Sequence, residues 1–199
     1  MQKKIGIALG LLMVGAAAFG LSEAANAQAG AGWRQLFNGQ NIANWNVRGD
    51  ANWAVEGGIV TATKGGGFLV SKESYDNFQI RAEIWVDQPA NSGIFIRCDT
   101  PTQIGANTCY EVNVFDERPG PEYATGGIVN TGKVSEPYPK AANQWNYLEI
   151  EAIGDQLTIT FNGRRTVDRV KDAKHAKGVF GLQYGGGLVK FRSVQIRPI

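Results

Sequence analysis

Along most of this chain, apolar residues alternate with polar ones, and glycine-rich turns break the alternation roughly every 8–15 residues, the spacing of short strands in an all-β sandwich. Helical periodicity is nearly absent. From Phe78 to Val86 the alternation is unbroken: Phe78, Ile80, Ala82 and Ile84 face one way, and Gln79, Arg81, Glu83 and Trp85 the other. Gly57-Gly58 separates Trp53–Glu56 from Ile59–Thr61 as a two-residue hairpin turn. Gly154-Asp155 divides Trp145–Ile153 from Gln156–Phe161, and Asn162-Gly163 is a type I′ signal leading into Arg164–Val170. Gly178–Tyr184 and Leu188–Ile196 read as the last two strands, joined by Gly185-Gly186-Gly187. The class this predicts is all-β, a sandwich in which alternate residues of each strand enter a shared core.

The first 27 residues carry a different pattern. Lys3 and Lys4 precede an apolar stretch from Ile5 to Leu21, and Ala25-Asn26-Ala27 is an A-x-A cleavage site. This is the pattern of a secretory signal peptide, with Gln28 the new N-terminus and a periplasmic or secreted location. An uncleaved anchor fits less well, because the apolar run is short, glycine-bearing and ends in the small-residue site. Residues 28–199 then form one domain, long enough for a full sandwich. Loss of Lys3, Lys4 and Glu23 takes the formal charge from +2 to +1. A near-neutral chain offers no electrostatic case for nucleic acid, and no second apolar run is long enough for a membrane helix. Cys98 and Cys109 flank a turn-rich stretch between two strands, and an oxidising compartment favours a disulfide closing it.

Two further stretches have unusual polar members. Ala90–Arg97 and Tyr110–Asp116 both alternate, yet their polar positions hold Arg97, Glu111 and Asn113, with Asp116 just beyond. A guanidinium, a carboxylate and an amide on neighbouring strands suggest a face built for a polar ligand. Each also has a plainer reading. Arg97 and Glu111 can pair structurally, Arg81 and Glu83 can form a solvated cross-strand pair, and Asp116 can cap the turn into Glu117-Arg118-Pro119. Gln183 can satisfy backbone groups beside the glycine turn. His175, in the charged run Lys171–Lys177, is expected to be solvated, and Trp33, Trp45, Trp53 and Trp145 to belong to the core. Trp85, on the polar side of its strand, is the better candidate for stacking on a ligand. The loops 117–125 and 131–144 are long enough to wall a site.

The order of these segments resembles a known family. The pattern runs Leu36-Phe37-Asn38-Gly39, Trp45 and Trp53-x-Val55-x-Gly57, and continues through Phe78-x-Ile80-x-x-Glu83, Asn91–Arg97 and Tyr110-Glu111-Val112-x-Val114-x-Asp116. It ends with Trp145-Asn146, Asn162-Gly163, Gly181-Leu182-Gln183 and Phe191-Arg192. It resembles the 3-keto-disaccharide hydrolase (3-keto-glycoside lyase/hydratase) domain family over about residues 33–199. The resemblance implies a concanavalin A-like jelly-roll fold and a sugar already oxidised at C3. Two departures stand out. Asn113 occupies a position where the family commonly has Gln. Leu182-Gln183-Tyr184-Gly185-Gly186 replaces a common Leu-Gln-Asp-His-Gly, so the acid and the His are missing.

If the strands are neighbours, parity places Arg81, Glu83, Arg97, Glu111, Asn113 and Gln183 along one groove. A ketone at C3 acidifies the C2 proton, which a carboxylate can remove, and the aglycone then leaves from C1. In this reading Glu111 is the leading acid/base, Glu83 or Asp116 its partner, and Arg97 or a bound divalent metal stabilises the enolate. Asn113, Gln183, Trp85, Arg81 and Tyr184 bind the sugar. The alternative is a non-catalytic, lectin-like carbohydrate-binding module, which the missing His favours. A weaker third option is a structural envelope protein.

Overall fold

The computed structural model describes residues 32–199. The leader and its cleavage site lie outside the described residues. Thirteen strands form two antiparallel sheets. The larger sheet contains β1 (Arg34–Phe37), β3 (Ala54–Glu56), β4 (Ile59–Ala62), β6 (Phe78–Val86), β9 (Trp145–Ile153), β10 (Gln156–Phe161), β11 (Arg164–Lys171) and β13 (Val189–Pro198). Its order is β11-β10-β9-β6-β13-β4-β3, with β1 pairing the far end of β13. The smaller sheet contains β2 (Trp45–Gly49), β5 (Gly67–Ser71), β7 (Asn91–Cys98), β8 (Tyr110–Val114) and β12 (Val179–Gly186), in the order β2-β5-β12-β7-β8. This is a jelly-roll sandwich. Among the described residues no helix is long and apolar enough to cross a membrane.

The core follows from strand parity. Ile80, Ile84, Leu148, Ile150, Phe191 and Ile196 of the larger sheet meet Leu69, Leu182, Ile94, Val112 and Tyr110 of the smaller in one continuous buried cluster. Each such side chain contributes about 1.5–3 kcal/mol by leaving water. The turns form where glycine or asparagine supplies positive φ: Gly57 and Gly58 join β3 to β4, and Asn162 (φ 49°) and Gly163 (φ 78°) join β10 to β11.

Parity fails at one place in β7. Cys98 pairs with Val179 and Phe95 with Gly181, so two residues of β7, Ile96 and Arg97, stand opposite Phe180 alone. This is a β-bulge, and Arg97 sits in it with φ at 50°. Arg97 is therefore not on the outer face with Glu111, as plain alternation predicts. It is 1% exposed. Its guanidinium donates to the carbonyl of Asp76 (2.8 and 2.5 Å), to that of Gly154 (2.7 Å) and to that of His175 (3.4 Å). Three connecting segments are pinned to one end of the sandwich by that single side chain.

The same end corrects the expectation for His175, which is 2% exposed rather than solvated. Its Nδ1 lies 2.9 Å from a carboxylate oxygen of Asp99, and its ring stands edge-on to Tyr110 at 5.0 Å. The Tyr110 hydroxyl donates to Asp172 at 2.7 Å and accepts from the His175 amide at 3.0 Å. Burial pushes the Tyr110 hydroxyl up to about 12.

Candidate functional site

Hydrogen-bonded register carries a row of residues straight across the outer face of the smaller sheet. Arg48 pairs with Phe68, Phe68 with Gln183, Gln183 with Gly93, and Gly93 with Asn113. In the adjacent row Glu111 pairs with Phe95 and Phe95 with Gly181. Glu111, Asn113 and Gln183 thus share one face, as parity predicts, and the smaller sheet supplies all three.

Unpaired polar atoms concentrate here. Seven buried side-chain polar atoms among the described residues lack a hydrogen-bond partner, and three of them are Asn113 Oδ1, Gln183 Oε1 and Arg118 Nε. Such atoms cost about 1–3 kcal/mol each unless a ligand or water completes them. Asn113 is fully covered, and its Nδ2 donates to the Tyr123 carbonyl at 2.8 Å. Gln183 is half-buried, and its Oε1 lies 3.5 Å from where a Cβ on Gly93 would stand. A Cβ there would also stand 2.6 Å from the Val112 carbonyl, so glycine at 93 is what lets β8 and Gln183 approach this closely. Glu111 is also half-buried, and burial raises its carboxyl above the ordinary 4.5, while the charge of Arg118 draws it partly back. Arg118 lies in the loop after β8. Sequence reasoning passed it over as part of a turn, and nothing local in Glu117-Arg118-Pro119 marks it out.

The other expected site residues lie elsewhere. Glu83, Arg81 and Trp85 belong to β6, in the opposite sheet, on its outer face. Glu83 accepts from Arg192 Nε at 2.7 Å, and Arg81 lies 3.4 Å from Glu149 and 4.2 Å above the Trp33 ring. Trp85 is covered by the Lys190 ammonium at 4.6 Å. These three cannot share a groove with Glu111, because the hydrophobic core lies between them. Trp145 is only half-buried, under Arg192 on that face, whereas Trp45 lies in the core and Trp33 is buried beneath Arg81. Tyr184 points inward: it is 3% exposed, edge-on to Trp53, and donates to the Gly187 carbonyl at 2.9 Å. Asp116 is spoken for by structure. Its carboxylate accepts from Thr125 Oγ1 (2.6 Å), the Ala141 amide (2.9 Å) and the Ala142 amide (3.0 Å), tying the loop 131–144 to the end of β8.

Beyond Asn113 the sheet continues in plane. The amide of Gly126 donates to the Asn113 carbonyl and the Asn113 amide to that of Gly127, both at 2.9 Å, so residues 126–129 extend the sheet edge. Beyond Gln183 the row runs toward Phe68 and the loop 99–108. That loop is closed by the Cys98–Cys109 disulfide. Among the described residues no three His, Cys, Asp or Glu side chains converge as metal ligands would.

A desolvated carboxylate and two amides thus lie together on the sheet face of a jelly roll, and comparison places the chain. The 3-keto-alpha-glucoside-1,2-lyase-like domain matches residues 32–197. The chain belongs to that family. Its fold is shared with solved structures of low identity. A candidate glycosyl hydrolase from Parabacteroides distasonis is 22% identical with a TM-score of 0.69, over 84% of this chain and 99% of that one. A second from the same organism is 19% identical with a TM-score of 0.73, over 89% and 97%. The carbohydrate-binding module CBM66 of Bacillus subtilis is 20% identical with a TM-score of 0.59, over 79% and 97%. No curated protein matches. The fold is one shared by glycosidase-like and carbohydrate-binding proteins.

Proposed function

We propose that the chain is an exported enzyme that cleaves the glycosidic bond of 3-keto-glycosides by acid–base chemistry at Glu111. The observation that carries this reading is a desolvated Glu111 carboxyl with no side-chain hydrogen bond, on the same outer face as Gln183 and under the charge of Arg118, each of which has an unpaired polar atom. A ligand that complements them offers hydroxyl donors and a carbonyl acceptor on neighbouring carbons, which is what a sugar oxidised at C3 presents.

The ketone makes the C2 proton acidic. The Glu111 carboxylate, stripped of much of its water, removes it. Negative charge moves to the C3 oxygen, where the Arg118 guanidinium stabilises the enolate; Arg118 takes the part expected of Arg97, which is committed to backbone carbonyls. As the enolate collapses, a C1–C2 double bond forms and the C1–O bond breaks, its electron pair leaving with the aglycone oxygen. The proton held by Glu111 returns to that oxygen. Water then adds across the double bond. Gln183 holds the ring through its hydroxyls, and Asn113, fully covered, fixes the strand edge beneath it.

The test is incubation of the mature protein with a 3-keto-disaccharide and mass spectrometry of the products. Cleavage is expected, with a product lighter by one water if elimination precedes hydration. Glu111→Gln should lower turnover by roughly 10²–10⁴-fold, the usual worth of a general base, with folding intact. Unchanged turnover in that variant overturns the assignment. The second reading, a lectin-like binding module, draws on the inward turn of Tyr184 where the family commonly has an acid. Saturable binding of an unoxidised glycan with no product from the keto sugar would establish it.

A further inference from the structure

We propose that the cleft between β1 and the β2–β5 edge is a second ligand site, which takes a small organic monoanion: one carboxylate on an apolar, ring-sized body. It is separate from the Glu111 face, since β12 and β7 stand between β5 and β8 in the smaller sheet.

The cleft has a volume of about 400 Å³, within the range of small-molecule pockets. Arg34, Gln35 and Leu36 of β1 line one side, and Trp45, Ser71 and Tyr75 the other. Register builds the second side, because Trp45 pairs directly with Ser71 across β2 and β5. Trp45 and Tyr75 both pack on Phe180, with ring centroids 5.6 and 6.0 Å away. Trp45, Tyr75 and Ser71 are all buried, so this wall is aromatic and already fixed in place. A prearranged wall spends little ordering entropy on binding. The exposed mouth carries Arg34, Lys72 and Glu73.

The hydrogen bonds already made decide the polar end of the ligand. Glu73 Oε2 lies 3.4 Å from Arg34 Nη1 and accepts from the Tyr75 hydroxyl at 3.4 Å. Ser71 Oγ accepts from the Phe180 amide at 3.0 Å and donates to the Glu73 carbonyl at 2.8 Å. Gln35 Oε1 accepts from Gln195 at 2.9 Å. Besides the Asn44 amide at the mouth, the side-chain groups left over are donors. The Trp45 indole N–H has no partner, the Lys72 ammonium has no carboxylate partner among the described residues, and Arg34 spends one N–H on Glu73. A hydroxyl brings a hydrogen as well as lone pairs, and few acceptors remain to receive it; a carboxylate brings lone pairs alone. Two cations against one carboxylate leave the mouth with one net positive charge, which a monoanion cancels and a dianion exceeds. Charge-assisted bonds to the guanidinium and ammonium are the strong kind.

The test is an NMR titration of the isotope-labelled mature protein with benzoate. The Trp45 indole N–H signal, identified by its loss in Trp45→Phe, should shift and saturate. Benzyl alcohol keeps the ring without the charge, and inorganic phosphate the charge without the ring; each should bind roughly ten-fold more weakly or worse. Arg34 and Lys72 are exposed, so Arg34→Gln and Lys72→Gln should fold, and each should weaken benzoate roughly three-fold. Glu73→Gln should tighten it, because that carboxylate competes for Arg34. Absence of a saturable shift at Trp45 overturns the inference, as does equal binding of benzyl alcohol or phosphate, or indifference to both mouth variants. The readout needs no turnover, so its failure is distinct from failure of the glycosidase reading.

Discussion

Glu111 sits half-buried with its carboxyl raised above the ordinary value by desolvation, and no side-chain hydrogen bond offsets that loss of water. A carboxyl whose folded value exceeds its unfolded value holds its proton to higher pH in the folded state. Its contribution to stability therefore falls as pH rises through the window from 4.5 to the raised folded value, and stays low above it. Glu111→Gln cannot ionise and escapes that fall. In urea unfolding the variant should be at least as stable as the parent at pH 7, and the difference should shrink as pH drops below the carboxylate range. A variant less stable at pH 7 would mean that Glu111 has a structural partner. In the same way Arg118→Ala should move the acid limb of the activity profile to higher pH, since the guanidinium charge holds the carboxyl down. At this scale the sequence was a fair guide to Glu111, Asn113 and Gln183, because alternation places residues two apart on one face. It was a poor guide to Asp116 and Tyr184. Asp116 lies past the last paired residue of its strand, and its loop donors come from 25 and 26 positions further on.

The bulge in β7 is the element that redirects the site. One extra residue opposite Phe180 turns Arg97 from the outer face into the end of the sandwich, where it gathers the carbonyls of Asp76, Gly154 and His175. Removing it leaves buried acceptors unpaired at roughly 1–3 kcal/mol each. Arg97→Ala should therefore lose about 3 kcal/mol or more, seen as a melting point lower by roughly 6–12 °C for a domain of this size. Turnover per folded molecule should stay within a few-fold, because Arg97 does not reach the row with Glu111. A variant that melts normally and loses turnover would return Arg97 to the chemistry. Several elements were legible in advance. Phe78–Val86, Trp145–Ile153 and Gln156–Phe161 coincide with β6, β9 and β10, since long alternation between glycine or asparagine turns leaves little freedom of register. The bulge was not legible, because nothing in Gly93–Cys98 distinguishes a strand with one residue too many from a regular one.

Across the whole molecule, the sandwich separates two groups of polar residues that look alike in sequence. Glu83, Arg81 and Trp85 lie on the outer face of the larger sheet, engaged by Arg192, Glu149 and Lys190. Glu111, Asn113 and Gln183 lie on the outer face of the smaller sheet. Export, proposed from the leader, is likewise a property of the full chain. Protein recovered from the periplasm or medium of an expressing bacterium should begin at Gln28 by intact mass, and an unprocessed mass would refute cleavage at Ala27. What the sequence by itself determined is the class of fold, the hairpins, the disulfide and the family, all of which depend on local periodicity, turn residues and motif order. Only the tertiary structure decided which strands share a sheet, and so which polar residues meet. Alternation says that a side chain leaves one face of its strand; the pairing of strands distant in sequence decides which face of the protein that is.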